Sequence, residues 1–228
     1  MTRPKLIDIL KQIESIQPLP TVKGGFRTIV ADPPWWFNHK GSRIAADSKE
    51  QLTKGRGYPC LTNEALLFIP VAEHAAPRSH IYMWTTDAFL LGGHFVTLAD
   101  GSKLEVGFAP VLMQAWGFVP KCTLVWGKMG ETEKVQIGMG NWFRHAHEIC
   151  IFGVRGGVTG EEPHNLASID AGSIILAAKG KHSKKPEEIF ATAVKMSQGP
   201  RLEMFSRQTR EGWHTWGNEI EPQVAMSK

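Results

Sequence analysis

The chain has 228 residues, 42% hydrophobic and 21% charged, with a formal net charge of +4. This is the composition of an ordinary soluble globular protein with one sizeable core, and no apolar run is long enough to span a bilayer. The basic bias is compatible with a polyanionic partner without requiring one. Cys60, Cys122 and Cys150 are odd in number and far apart, and no C-x-x-C occurs. That pattern predicts reduced packing thiols in a cytoplasmic chain rather than a disulfide frame or a zinc site. Acidic residues from Asp8 onward argue against a signal peptide. Eight tryptophans suit a core and a base-stacking pocket equally well.

Residues 4–16 place Leu6, Ile9, Leu10, Ile13 and Ile16 at helical spacing, which predicts an amphipathic N-terminal helix packed on the body. Pro18 and Pro20 end it, and Gly24-Gly25 turn the chain into a buried strand over Thr28–Ala31. That strand must stop at Asp32, because Pro33 and Pro34 cannot donate to a ladder and Pro33 pushes Asp32 out of the α region. The result is a stiff turn that holds one carboxylate, one exposed carbonyl and the Trp35 ring at the carboxyl end of a strand. In open α/β sheets that edge is where ligands bind.

From Asn38 to Gly57 the chain turns polar and glycine-spaced, with Lys40, Arg43, Lys49, Lys54 and Arg56 outnumbering Asp47 and Glu50. A basic loop over 38–57 beside a pocket is placed to clamp phosphates. Tyr58-Pro59 closes it. Thr62 then caps a helix running to Ile69. Ser79–Thr86 reads as a second strand with Trp84 near its end. Phe95–Leu98 and Leu104–Phe108 flank an Asp100-Gly101 turn, so a hairpin insertion is predicted over 95–108. It either decorates the sheet or interrupts a crossover helix that resumes at Val111–Trp116 and is capped by Gly117.

Lys121–Trp126 forms a third strand, and Glu131–Gly140 a polar loop. The segment Asn141–Glu148 leads into a strand over Ile149–Val154. His145, His147 and Glu148 fit neither H-E-x-x-H nor a facial triad, so hydrogen bonding in the pocket is expected of them and no metal. Ile174–Ala177 is a further short strand. After it, Lys179–Glu188 sets four lysines and a histidine before a helix, with Pro186 at its first position and Phe190 and Val194 on its buried face. Arg201–Arg207 reads as a strand carrying Glu203 and Arg207 on one face, for which a plain ion pair is the bland alternative. A polar, aromatic tail closes the chain. No repeats or low-complexity tracts occur.

The Asp32 turn suits an exocyclic adenine amine. Such an amine is a poor nucleophile because its lone pair is delocalised into the ring. The Asp32 carboxylate and the Pro33 carbonyl can each accept one N–H and localise that lone pair, with Trp35 stacked on the base. Fixed positioning of this kind supplies about 7–11 kcal/mol of a barrier. The same residues also fit a plain strand-ending turn with two core tryptophans.

Together, Asp32-Pro33-Pro34-Trp35, Trp84, the Trp142…His145…Glu148 block, His182–Glu188, Leu202–Arg207 and Gly212-Trp213…Trp216–Glu219 resemble the N6-adenine methyltransferase family typified by the eukaryotic messenger-RNA adenosine methyltransferase. The resemblance runs from about residue 25 to 220. It implies an α/β, Rossmann-like class I methyltransferase fold with a mostly parallel sheet, helices on both faces and a permuted motif order. It implies residues 1–228 as one methyltransferase domain and S-adenosylmethionine as methyl donor. In the catalytic turn stand Asp32, Pro33, Pro34 and Trp35. By position, Lys185 matches the residue holding the methionine carboxylate, while Glu203, Phe205, Arg207, Asn218 and Glu219 match those holding ribose and adenine. Glu219 stands where the eukaryotic member has an amide.

Tyr58, Trp84, His145 and Glu148 are candidates for the rest of the substrate pocket, and Lys40, Arg43, Lys54 and Arg56 for phosphate contacts. The N-terminal helix and the hairpin depart from the family pattern. Short members without an appended RNA-binding region look like bacterial or phage DNA-modifying enzymes, so DNA is the favoured polymer. RNA is the nearest alternative and a non-catalytic partner subunit the next. The expected state is monomer or homodimer, with a second subunit left open and no membrane contact.

Overall fold

The structure, a computed structural model, describes residues 5–36, 61–130, 134–138, 142–156, 170–180, 184–218 and 220. Helix α1 (Leu6–Glu14) precedes β1 (Phe26–Ala31), and α2 (Asn63–Leu67) and α3 (Val71–His74) lead into β2 (Ala75–Thr85). Next come α4 (Asp87–Leu91), the hairpin β3 (Gly93–Thr97) and β4 (Lys103–Gly107), and α5 (Phe108–Ala115). The chain continues through β5 (Val119–Met129), β6 (His147–Arg155), β7 (Ile174–Ala178), α6 (Glu187–Met196), β8 (Arg201–Met204) and β9 (His214–Trp216).

Among the described residues, seven strands form one sheet in the order β7-β5-β6-β2-β1-β8-β9. β1 pairs in parallel with both β2 and β8. β6 is antiparallel to both β2 and β5, while β5–β7 and β8–β9 are parallel. One strand, β6, therefore runs against the rest. The carboxyl ends of β1, β2, β5 and β8 share one edge, and β6 begins there. The chain lays β2 on one side of β1 and β8 on the other, which makes the end of β1 a topological switch point.

Strand residues alternate between the two faces. Ile29, Ala31, Ile81, Met83, Ile151, Leu202 and Met204 join Leu66, Val71, Phe89, Phe108 and Leu112 of helices α2–α5 in one core. Val30, Tyr82, Trp84, Cys150, Leu124 and Trp126 face the other way and pack with Ile189, Phe190 and Ala193 of α6. Continuing the alternation past Val30 puts Asp32 on the α6 face, at its open end.

Several boundaries differ from those predicted. The hairpin forms its own two-stranded sheet between two helices, so it interrupts the crossover rather than decorating the main sheet. α5 begins at Phe108 and ends in a Schellman arrangement, with Gly117 at φ 85 and the Phe118 N–H on the Met113 carbonyl at 3.1 Å. Pro186 is the extended N-cap of α6 rather than its first helical residue. Val194 is 44% exposed, because Ile189, Phe190 and Ala193 define the buried stripe and leave it on the shoulder. The strand expected to reach Arg207 stops at Met204, where Phe205 takes φ 61. β5 instead runs longer than expected, to Met129.

Candidate active site

At the end of β1, Asp32 remains tied to β8 through its N–H to the Met204 carbonyl at 3.5 Å. Pro33 and Pro34 then turn the backbone out of the sheet. The Pro33 carbonyl, expected to be exposed, accepts the Trp35 N–H at 2.8 Å and Pro33 is buried. A carbonyl has a second lone pair, so this bond stiffens the turn and leaves one acceptor site on the oxygen.

The Asp32 carboxylate meets Lys185, whose Nζ lies 2.8 Å from Oδ2. Lys185 precedes Pro186 and is thereby pushed into extended backbone just ahead of α6. The same ammonium stands 3.1 Å from Glu148 Oε2 and 5.4 Å above the Trp84 ring. Glu148 enters this edge only because β6 is reversed: it opens its strand where its neighbours close theirs. Its other oxygen, Oε1, is 2.8 Å from Lys128 Nζ at the end of β5.

Burial pushes the Asp32 carboxyl above its ordinary value, with Lys185 pulling back and the Glu148 charge adding to the rise. Burial also works against ionised Glu148, but Lys185 and Lys128 outweigh it and hold that carboxyl low. Burial likewise opposes the Lys185 charge, and the two carboxylates more than compensate, so Lys185 is raised and stays protonated. Asp32 is raised chiefly by burial, against which Lys185 and the weaker Arg207 charge pull, whereas Glu148 also meets Lys128, so Asp32 is the more basic of the two carboxylates.

Glu203, opposite Val30 in the β1–β8 register, lies on the same face. Its partner is Arg210, with Nε 2.9 Å from Oε2, and not Arg207. The expected shared strand face of Glu203 and Arg207 fails because the strand ends between them. Arg207 lies at the cleft, where its charge lowers the Asp32 pKa against the larger effect of burial. The Arg210 guanidinium also bonds Glu187 and sits 3.4 Å over the Phe190 ring. Burial raises the Glu203 carboxyl despite this partner. Asp32, Trp84, Lys185, Glu203, Arg207 and Arg210 line one cleft.

One expected aromatic role does not fit this geometry. Trp35 is 6% exposed and stacks on Phe89, with ring centroids 4.8 Å apart, inside the opposite core. It therefore supports the turn from beneath and presents no face to a base, as the strand-ending-turn reading required. Phe205 packs edge-on against Trp216 at 5.2 Å, although it also borders the cleft. Trp84 does line the cleft, with its ring under Lys185. His145 bonds Asp87 (Nδ1–Oδ2 3.2 Å), which pins the segment before β6 to the start of α4. Asn218 is exposed. Tyr58, Lys40, Arg43, Lys54, Arg56 and Glu219 lie outside the described residues, as does the basic loop 38–57.

Lys128 and Arg210 were not singled out from sequence. Extending the period of two from Trp126 would have put Lys128 on the site face. Nothing in the tail spacing links Arg210 to Glu203.

The donor set can be tested against the cofactor that the resemblance implies. An ammonium suits a carboxylate, the Glu203 carboxylate suits ribose hydroxyls, and Trp84 and Phe190 supply apolar walls. Trp84 Nε1 is buried with no partner among the described residues, which costs about 1–3 kcal/mol unless a ligand acceptor meets it. The residues fit such a group.

The sequence profile of the MT-A70 family matches residues 26–219. The N(6)-adenosine-methyltransferase MT-A70-like protein of Drosophila melanogaster is 27% identical over 207 residues, 88% of this chain and 28% of that protein. The human N(6)-adenosine-methyltransferase catalytic subunit METTL3 is 26% identical over 208 residues, 88% of this chain and 29% of its own. The N6-methyladenosine RNA methyltransferase MTA1 of Cryphonectria parasitica is 24% identical over 197 residues, 86% of this chain and 52% of its own. The chain thus spans from about a quarter to about half of the length of these curated relatives. With a switch-point cleft built on Asp32-Pro33-Pro34 and a profile match over most of its length, the chain belongs to the MT-A70 family.

Proposed function

We propose that this chain is an S-adenosylmethionine-dependent methyltransferase acting on N6 of adenine in a polynucleotide. The observation that carries the reading is the placement of the Asp32 carboxylate at the end of β1, beside Lys185 and Glu203 in one cleft. S-adenosylmethionine supplies an electrophilic methyl group when bound. Lys185 would hold its carboxylate: an ammonium has three donors, and Asp32 and Glu148 account for two. Glu203 would take the ribose hydroxyls, with Arg207, Phe205, Asn218 and Glu219 around the remainder.

Asp32 and the second lone pair of the Pro33 carbonyl accept the two N–H bonds of the adenine amine. That arrangement localises the nitrogen lone pair and fixes its direction. Because burial makes Asp32 more basic than an ordinary aspartate, it is also suited to receive the proton the amine loses after transfer. Pro34 contributes rigidity: its carbonyl accepts the Leu61 N–H at 3.2 Å and anchors the turn to the segment before α2. Tyr58, His145 and Glu148 are proposed to border the base, and Lys40, Arg43, Lys54 and Arg56 to contact phosphates.

RNA is the favoured polymer, against the preference for DNA drawn from the likeness to short members without an appended RNA-binding region. One relative is named as an RNA methyltransferase and the others as adenosine methyltransferases. The same names, all from eukaryotes, give the bacterial or phage reading no support. Transfer of labelled methyl to single-stranded RNA, single-stranded DNA and duplex DNA, followed by nucleoside analysis, tests the reading. Label in N6-methyladenosine is expected. Label only in N6-methyldeoxyadenosine would replace the polymer, and no label in any polymer would overturn the function.

A further inference from the structure

Among the described residues, the proposed transfer leaves one half-buried cation at the site edge without a task. Lys128 is the penultimate residue of β5, its side chain is 16% exposed, and its Nζ lies 2.8 Å from Glu148 Oε1 and 5.4 Å over the Trp126 ring. Lys185 repeats the arrangement on the next part of the edge, over Trp84 at 5.4 Å. The two indoles pack edge to face with centroids 6.2 Å apart. Four charges of alternating sign therefore run along the strand ends: Lys128, Glu148, Lys185, Asp32. The separations are 2.8, 3.1 and 2.8 Å.

We propose that Lys128 is a positioning residue for methyl transfer, which acts through Glu148 and Lys185 to keep the Lys185 ammonium on Asp32. The inference rests on the methyltransferase reading. Glu148 and Asp32 compete for one ammonium. A lone Glu148 would draw Lys185 toward itself, since it would carry an uncompensated charge in a partly desolvated place. Lys128 meets that charge from the other side, so Lys185 stands closer to Asp32 than to Glu148. The alternative is an ordinary ion pair that only adds stability. Against it, both lysines are seated on indole rings, and the pair leads directly to the carboxylate that orients the amine. Among the described residues, the titratable groups on this part of the face are Lys128, Glu148, Lys185, Asp32, Cys150, Glu203 and Arg210, with the Arg207 charge also felt at Asp32.

The test compares Lys128→Met and Lys128→Arg with the unchanged chain, by transfer kinetics against pH and by carbon-13 NMR titration of the aspartate and glutamate carboxyls without substrate. Lys128→Met is expected to lower kcat roughly three- to tenfold and to move the acid limb of kcat/KM upward by about half a pH unit. The Asp32 carboxyl titration should move with the limb, and Lys128→Arg should restore both. In a Glu148→Gln background, Lys128→Met should have no further effect on the limb. That cycle also decides the matter if the single Lys128→Met chain folds poorly. Unchanged Asp32 titration and an unchanged limb in Lys128→Met, with the parent active, would overturn the inference alone. A parent chain inactive on every polymer would instead overturn the reading beneath it.

Discussion

The two faces of the seven-stranded sheet differ at their ends. On one, Ile29, Ala31, Met83 and Met204 are covered by helices α2–α5, and the apolar layer continues past β1 through Trp35, Phe89 and Phe108. On the other, α6 covers Val30, Tyr82 and Trp84 and its first turn stops at the edge, where Asp32, Glu148, Lys185, Glu203 and Arg210 collect. The dry face carries stability, and the half-covered face carries charge in a place where water screens it poorly. The Asp-Pro-Pro-Trp turn spans both: its carboxylate belongs to one face and its indole to the other.

The largest effect should follow from breaking the dry face inside that motif. Trp35→Ala should destabilise folding by about 3–5 kcal/mol in a denaturant titration. Trp35→Phe should keep both fold and transfer; a large loss of transfer with stability intact would place the indole at the substrate after all. Asp32→Ala should do the reverse. Single-turnover transfer should fall by roughly 10²–10³-fold or more, while calorimetry still shows cofactor binding, and retained activity would defeat the catalytic assignment.

Arg210→Ala comes next in size, because it strands the Glu203 carboxylate at the cleft. Cofactor affinity should weaken by about 1–3 kcal/mol with the transfer step itself less affected. Arg210→Lys should recover little of it, since a lysine lacks the flat guanidinium that lies on Phe190.

The smallest expected effect is in pH. Ionised Asp32 is the stronger acceptor for an N–H and the form able to take the amine proton, and burial raises it above 3.8, so the acid limb of kcat/KM should lie above that value. Glu148→Gln removes a neighbouring negative charge and should move the limb down. An upward move would show that Glu148 mainly serves to hold Lys185. The stability contributions of the two acids have opposite signs. For Asp32, raised on folding, the favourable contribution is full below 3.8 and is lost as pH rises through the folded value. For Glu148, lowered on folding, it is present above 4.5 and is lost as pH falls through the folded value.

Local chemistry in the sequence determined much of this protein. Two prolines had to end β1 at Asp32, Asp100-Gly101 had to turn a hairpin, and Gly117 had to close α5. The alternation in β1, β2 and β5 specified which side chains share a face, because a strand period of two leaves no other choice. Segment order carried the family resemblance, which reached Lys185 and Glu203 by position. Tertiary structure decided the rest. The reversal of β6 is a long-range pairing, and it alone sets Glu148 among residues from strand ends. The end of β8 at Phe205 redirected the chain so that Arg210, rather than Arg207, meets Glu203. Helices α4 and α5 claimed the Trp35 ring for the core. Each of these outcomes depends on contacts between segments far apart in the chain, which spacing along the sequence does not encode.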